Sequence, residues 1–404
     1  MKRIMLGKVA VVSSGGTPDR TRPEYWGGSI PWVKTGEIQF NTISSTEEKI
    51  TNEGLRESSA KVYSSGTLLM AMYGQGKTRG QVAVLGIDAA INQACAAITP
   101  HKPEDSPFLF QYLAFHYANI RRLSNSGSQE NLNAEIIRSI PIHYPSPPTR
   151  RKIAGILTTW DTALEKLDAL IVTKERCKKA LMQQLLTGNK RMKGFISLGG
   201  RTKRDRFGVY PADWCHVALG DITLEVAARN AAGRTLPVLS CTKHRGLVLS
   251  EEYFGKRVYA ENTSNYRVVA RGEFAYATNH IEEGSIGYQN ICEAGLVSPI
   301  YTVFKSRGDI DDAYLYRVLK SPLLVHHYRV NTSSSVDRRG SLRYDEFARI
   351  HIWLPRKDEQ RAIENTLATC DEELWLLQAQ RDALDQQKRG LMQSLLTGRI
   401  RVKP

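Results

Sequence analysis

Between Tyr73 and Gly80 the chain reads Tyr73-Gly74-Gln75-Gly76-Lys77-Thr78-Arg79-Gly80, an amide, an ammonium, a hydroxyl and a guanidinium set among glycines. Two chemistries use such a run. A nucleotide-phosphate loop contains Gly-Lys-Thr, but it requires a glycine five residues before Gly76, where Ala71 stands, so ATP binding is set aside. The other chemistry is readout of base edges in a DNA groove. Arg and Lys pair with guanine there and Asn and Gln with adenine, on a backbone that glycine lets approach closely. Gln75, Lys77, Thr78 and Arg79 are the candidates for that work.

A second candidate loop, Thr278-Asn279-His280-Ile281-Glu282-Glu283-Gly284-Ser285-Ile286-Gly287, offers Asn279, His280 and Ser285 but has two carboxylates where the first has two cations. Lys34 in the first half, and Lys243, His244 and Arg245 in the second, are further candidates at comparable places. So are Ser128, Gln129, Arg338 and Arg339, each just before the last strand of its half. Arg201, Lys203, Arg204 and Arg206 suit phosphate contact or solubility.

Catalytic patterns fall short. Pro18-Asp19 with Glu47-Glu48-Lys49 imitates a nuclease carboxylate–lysine cluster, but the second half lacks it. No Asn/Asp-Pro-Pro-aromatic tetrapeptide, the adenine-holding motif of methyltransferases, is present. His326-His327 lacks further ligands at metal spacing and reads as structural. Cys95, Cys177, Cys215, Cys241, Cys292 and Cys370 stand singly, which speaks against a zinc site or a disulfide framework and for a reducing cytosol. No catalytic residue and no metal site is expected.

These loops need a frame, and internal repetition supplies it. Residues 151–193 superpose on 361–403 at a constant shift of 210 with no gap, and 18 of the 43 positions are identical. Both copies end alike, in Leu185-Leu186-Thr187-Gly188 and Leu395-Leu396-Thr397-Gly398, with glycine where a left-handed helix C-cap is expected. Ile153, Leu157, Trp160, Leu164, Leu167, Ile171, Leu181 and Leu185 fall at 3-4 spacing. Ile363, Leu367, Cys370, Leu374, Leu377, Leu384, Leu391 and Leu395 do the same. Each copy predicts a long helix, roughly 55 Å at 1.5 Å per residue. Lys174 and Lys178 in one helix, and Arg381 and Lys388 in the other, interrupt the seam and predict a local loosening or a polar contact midway, not a uniform zipper.

The segments before the helices are related more faintly. Pro31 and Pro237, and Gly66 and Gly272, share a shift of 206, and Leu6-Gly7 answers Leu219-Gly220. β-like runs at Val82–Leu85, Arg267–Val269 and Ile300–Phe304, with helical patterns near Phe108–Tyr117 and Tyr314–Leu319, predict a mixed α+β domain in each half. Pro145, Pro147, Pro148 and Pro355 are expected to stop each domain before its helix. The expected fold class is α+β: two tandem α/β domains and two long helices paired antiparallel by a pseudo-two-fold axis. The boundaries expected are a first domain at 1–149, its helix at 150–189, a crossover linker at 190–206, a second domain at 207–357, and the second helix and tail at 358–404.

At 404 residues, 41% hydrophobic and 24% charged, the composition is that of a globular protein, but the net charge of +15 points to a polyanionic partner, nucleic acid first. No run approaches a membrane-spanning helix and the first residues form no signal peptide, so a cytoplasmic protein is expected.

The order of these motifs resembles the specificity subunit of type I restriction–modification systems. The resemblance lies in Leu6-Gly7-Lys8-Val9, Gly16-Thr17-Pro18, Glu24-Tyr25-Trp26-Gly27-Gly28 and Ile30-Pro31-Trp32-Val33 at the start. It continues in Asn92-Gln93-Ala94, Tyr210-Pro211-Ala212-Asp213-Trp214, Val217–Ile222, Val297-Ser298-Pro299-Ile300-Tyr301 and the Leu-Leu-Thr-Gly endings. It implies two target-recognition domains, each reading half of an asymmetric bipartite site in double-stranded DNA, with the coiled coil setting the gap. It also implies two methylation subunits docked on the chain, and restriction subunits joined through that methyltransferase core. S-adenosylmethionine, ATP and Mg would sit on those partners, with no cofactor on this non-catalytic chain. A specificity subunit serving a type II-class methyltransferase–nuclease, and a bivalent coiled-coil scaffold, are the alternatives.

Overall fold

The computed structural model describes residues 3–74, 76–123, 131–196, 201–205, 208–332 and 341–402. The chain divides into two units, Met1–Leu170 with Leu377–Pro404, and Ile171–Leu376. Each contains a sheet domain and half of each of two 40-residue helices, Pro147–Leu186 and Lys357–Leu396.

The first unit is built on a five-stranded sheet in the spatial order Ala10–Ser14, Cys95–Pro100, Leu68–Ala71, Val82–Leu85, Thr42–Ile43, antiparallel except for the last pair. A strand turns successive side chains to opposite faces. Leu68, Met70, Ala96 and Ile98 therefore meet Phe108, Leu109, Tyr112 and Leu113 of the helix Ser106–Phe115. Leu69, Ala71, Cys95 and Ala97 face the other way, onto Val33 and Ile38. A second sheet, of Glu48–Ile50, Trp26–Val33, Ala89–Ile91 and Val62–Tyr63, extends the domain.

The second unit repeats this plan in a four-stranded sheet ordered Thr223–Glu225, Tyr301–Ser306, Phe274–Ala277, Ile286–Tyr288. Phe274, Tyr276 and Phe304 pack on Tyr314, Leu315 and Leu319 of the helix Asp312–Leu319, while Ala275 and Val303 turn to Val269 and Val297. Each domain closes on its own beginning: Leu6 N donates to Ile140 O at 2.9 Å and Leu219 N to Ile350 O at 2.8 Å.

The expected helices form, with their starts shifted. Pro147 and Pro148 are part of the first helix, because the first turn has no use for their missing N–H groups. Gly188 and Gly398 follow the helix ends with φ of +71° and +74°. The repeat positions Ile153 and Ile363, and Leu157 and Leu367, are buried in the core of the first and second unit respectively. Within each unit the two half-helices run antiparallel. In the first, Asp161 meets Lys388 and Asp168 meets Arg381; in the second, Lys174 meets Glu373 and Lys178 meets Asp371. The four cations that interrupt the heptads are thus the interhelical ion pairs.

The start of each helix is held by a buried polar side chain at repeat positions 150 and 360. Arg150 Nε and a terminal nitrogen donate to the two oxygens of Asp105 at 2.6 and 3.0 Å, both side chains being 3% exposed, and Arg150 also donates to Pro145 O. Tyr144 donates its hydroxyl to the same carboxylate; burial and then Asp105 push its phenol up to about 12, so it remains the donor. In the second unit Gln360 donates to Pro355 O at 2.8 Å and accepts from Asp311 N at 2.9 Å. The stretch read as a crossover linker includes Thr202–Asp205, paired with Gly208–Pro211, and Arg191, whose guanidinium binds Glu359 and Asp213.

Asp105→Ala would leave Arg150 charged and buried, with an expected cost of about 3–5 kcal/mol. Leu157→Ala is expected to cost about 2–5 kcal/mol. Urea unfolding measures both, and a loss under 1 kcal/mol in either would contradict this packing. The Asp371 carboxyl, which burial alone would raise, is held below its usual range by Lys178 and Arg317. Its contribution is complete above about pH 4 and disappears as the pH falls through the lower folded-state value. Asp371→Asn should therefore flatten the loss of urea resistance on acidification; an unchanged profile would contradict the pairing.

Candidate nucleic-acid interface

The two candidate loops occupy the same place in the two sheets. Each joins the third strand in spatial order to the fourth: Leu68–Ala71 to Val82–Leu85, and Phe274–Ala277 to Ile286–Tyr288. Each is tied at its base to a buried leucine 210 residues apart in the repeat, Leu132 N donating to Met72 O and Leu342 N to Thr278 O, both at 3.0 Å.

In the first unit the turn is shaped by hydrogen bonds from Gly80 N to Ala71 O at 2.8 Å and from Gln81 N to Thr78 O at 3.0 Å. Gly80 has φ +84° and faces Tyr117 and Arg121 of the helix Tyr117–Arg121. Tyr117 donates its hydroxyl to Lys77 O and rests edge-on against Phe40 at 5.2 Å. Lys77 and Tyr73 are exposed, Thr78 is half-buried, and Arg79 is only 8% exposed. Gln75 lies outside the described residues, as do Ser128, Gln129, Arg206, Arg338 and Arg339.

Lys34 follows the strand Trp26–Val33 and is held by two carboxylates, Glu47 at 2.7 Å and Glu48 at 3.1 Å. Glu48 also binds Arg20 at 2.6 Å, and Arg20 lies 3.8 Å from the Trp26 ring centroid. The carboxylates that imitate a nuclease cluster are therefore occupied by cations, while Asp19 accepts from Thr21 N and hydroxyl.

In the second unit Lys243, His244 and Arg245 are exposed at the tip of the hairpin Leu239–Thr242 and Gly246–Leu249. Asn279 is half-buried, His280 exposed and Ser285 6% exposed. The ligating atoms of His280, Glu282 and Glu283 lie within 4.8 Å of one another, an acidic cluster where the first unit presents Lys77. The turns at 243–245 and 279–284 are far apart in sequence but are joined by Lys320, which caps the helix Asp312–Leu319. Its ammonium donates to Lys243 O and to Gly284 O, each at 2.7 Å. Neither Lys320 nor Tyr117 stood out in the sequence. Both act through backbone carbonyls, which leave no mark in a pattern of side chains.

The first 172 residues match the family described as the type I restriction modification DNA specificity domain. The chain is 27% identical over 162 residues to the MjaIX specificity subunit of Methanocaldococcus jannaschii, covering 39% of this chain and 37% of that relative's own length. Against the MjaVIII specificity subunit of the same organism it is 22% identical over 406 residues, covering 93% of this chain and 87% of the relative. The likeness of fold covers nearly the whole chain. The S subunit of a type I restriction-modification system from M. genitalium aligns with 98% of this chain and 96% of its own, with a TM-score of 0.57 at 15% identity. Among the described residues no helix is long and apolar enough to cross a membrane.

Burial separates two neighbours that look alike in sequence. Arg79→Ala should lower stability by about 1–3 kcal/mol, the scale for disturbing a buried polar group, whereas Lys77→Ala should leave the urea midpoint in place. Equal midpoints for the two variants would contradict the burial of Arg79.

Proposed function

We propose that this chain is the non-catalytic, DNA-reading subunit of a type I restriction–modification enzyme, recognising an asymmetric bipartite site with one half-site for each unit. The observation that carries it is the pair of equivalent turns on sheets of one strand order, one cationic at Lys77 and the other acidic at Glu282 and Glu283. One scaffold bearing two unlike turns suits two unlike half-sites. Ammonium groups pair with guanine O6 and N7, and carboxylates accept from the cytosine amino group. The net charge of +15 supplies the sequence-independent attraction to phosphate.

Of the candidates in the first unit, Lys77 is best placed to reach a base and Thr78 can contribute its hydroxyl. Arg79 is buried and is the weaker candidate for reaching a base. Lys34, neutralised by Glu47 and Glu48, is a weaker candidate than its charge suggests. In the second unit Lys243, His244, Arg245, Asn279 and His280 stand on two turns joined through Lys320, and Ser285 is buried. Gln75, Gln129, Arg338 and Arg339 remain candidates by sequence. In this function two methylation subunits dock on the chain, and restriction subunits join through them; S-adenosylmethionine, ATP and Mg belong to those partners, in the cytoplasm. Trp375 and Leu376, 68% and 54% exposed on the second long helix, offer apolar surface for such docking. The long helices run through both units and are expected to set the gap between half-sites.

Binding of the full chain to duplex DNA, measured by fluorescence anisotropy, should weaken steeply with salt, log Kd rising linearly with log salt concentration as counterions are released. Salt-insensitive or absent binding would instead favour a protein scaffold. Lys77→Ala should weaken discrimination at one half-site by about 1–3 kcal/mol; equal loss on every duplex would put Lys77 on phosphate. Removing one heptad from both helices should change the preferred gap, and an unchanged gap would mean that the helices do not set it.

A further inference from the structure

The second unit uses two segments where a single turn would be the simpler design, and one half-buried cation joins them. Lys320 stands just past the helix Asp312–Leu319, and its side chain is half-buried. Burial pulls its pKa down from the ordinary lysine value, the opposite of what a carboxylate partner would do. Two of its three donors are used on backbone carbonyls, Lys243 O and Gly284 O at 2.7 Å each. Those carbonyls belong to the two turns that carry Lys243, His244, Arg245, Asn279 and His280.

Neighbouring contacts make the arrangement specific. Tyr316, one turn earlier on the same helix, sets its hydroxyl against Gly246, so close that a Cβ there would lie 2.3 Å away, and Gly246 has φ +68°. Gly287 packs as tightly on Leu247, where a Cβ would meet the backbone nitrogen at 2.4 Å. Gly284, with φ +86°, ends the short 3-10 turn Ile281–Glu283 and gives its carbonyl to Lys320. The hairpin tip is thus fixed to the sheet turn at two points, by glycine contacts and by the lysine. In the first unit the Tyr117 hydroxyl on the Lys77 carbonyl does the corresponding work with a neutral donor.

We propose that Lys320 is a positioning residue for DNA recognition: by holding the carbonyls of Lys243 and Gly284 together, it makes the turns at 243–245 and 279–284 a single reading surface. The inference rests on the DNA-reading function above and adds the element that sets specificity in the second unit. Lys320 touches no base. Its charge fixes two turns whose side chains do the reading, so its loss should affect discrimination more than overall attraction to DNA. An ammonium partly withdrawn from water is costly unless its hydrogen bonds are made, so the bonds and the charge support one another.

The test uses the full chain and the variants Lys320→Met and Lys320→Arg, followed by amide hydrogen exchange and by DNA binding. Lys320→Met should speed exchange at Arg245, Glu283 and Gly284 at least tenfold, leaving the strands Phe274–Ala277 and Tyr301–Ser306 unchanged. The ratio of affinities for cognate over scrambled duplex should fall about tenfold while affinity for scrambled duplex is kept. Lys320→Arg, which keeps charge and donors, should recover at least part of both effects. Faster exchange in one turn only, or throughout the second unit, would overturn the joint positioning. Loosened turns with discrimination intact would overturn the link to recognition. If the unaltered chain binds no DNA, the DNA-reading function itself fails, and the exchange result alone then decides whether Lys320 joins the turns.

Discussion

The structure depends on how each long helix is fixed to the domain that precedes it. In the first unit this is a buried ion pair, Arg150 with Asp105, supported by the Tyr144 hydroxyl and the Pro145 carbonyl. In the second unit the same repeat position is Gln360, a neutral group that joins Pro355 O to Asp311 N. Two charges taken from water need nearly every hydrogen bond satisfied to be tolerated; an amide does the same joining with less desolvation. Because both solutions sit at the first turn of a helix, they fix its rotation relative to its sheet. That rotation places Ile153 and Leu157, and in the second unit Ile363 and Leu367, into the domain cores. It also sets the phase at which Asp161, Asp168, Lys174 and Lys178 meet cations or carboxylates of the other helix.

On that frame the two sheets differ at their turns. Their strand order, the closing bond to Leu6 or Leu219, and the ties of Leu132 and Leu342 to the loop bases are common to both. The turns they present are not. One is a glycine-rich turn with an exposed lysine, propped by a tyrosine hydroxyl; the other is acidic and sits beside a basic hairpin, bound to it through Lys320. The scaffold holds the fold, and the tips differ without a change in strand order.

Much of this was legible in the amino-acid sequence. The 210-residue repeat, its heptads and the Leu-Leu-Thr-Gly endings gave both helices and their glycine caps, because periodicity and left-handed glycine are local signals. Lys174, Lys178, Arg381 and Lys388 were recognisable as breaks in the seam, and their partners follow from antiparallel pairing. The depth of the polar residues was not legible. Lys77 and Arg79 look equivalent in one dimension, yet one is at the surface and the other is buried. Ser285 reads as a loop serine but faces inward. The pairing of Thr202–Asp205 with Gly208–Pro211, inside a stretch that resembles a linker, depends on a strand partner that composition does not reveal. Lys320 escaped notice because its partners are carbonyls 77 and 36 residues away.

The central claim is that one chain reads two different half-sites. Sequencing the methylated bases in DNA from cells that express this chain with the proposed methylation subunit tests it most directly. The expected result is a single asymmetric motif in two blocks separated by a fixed gap of unspecified bases, with methylated adenines on opposite strands. A palindromic or contiguous motif, or methylation that follows no motif, would contradict the claim.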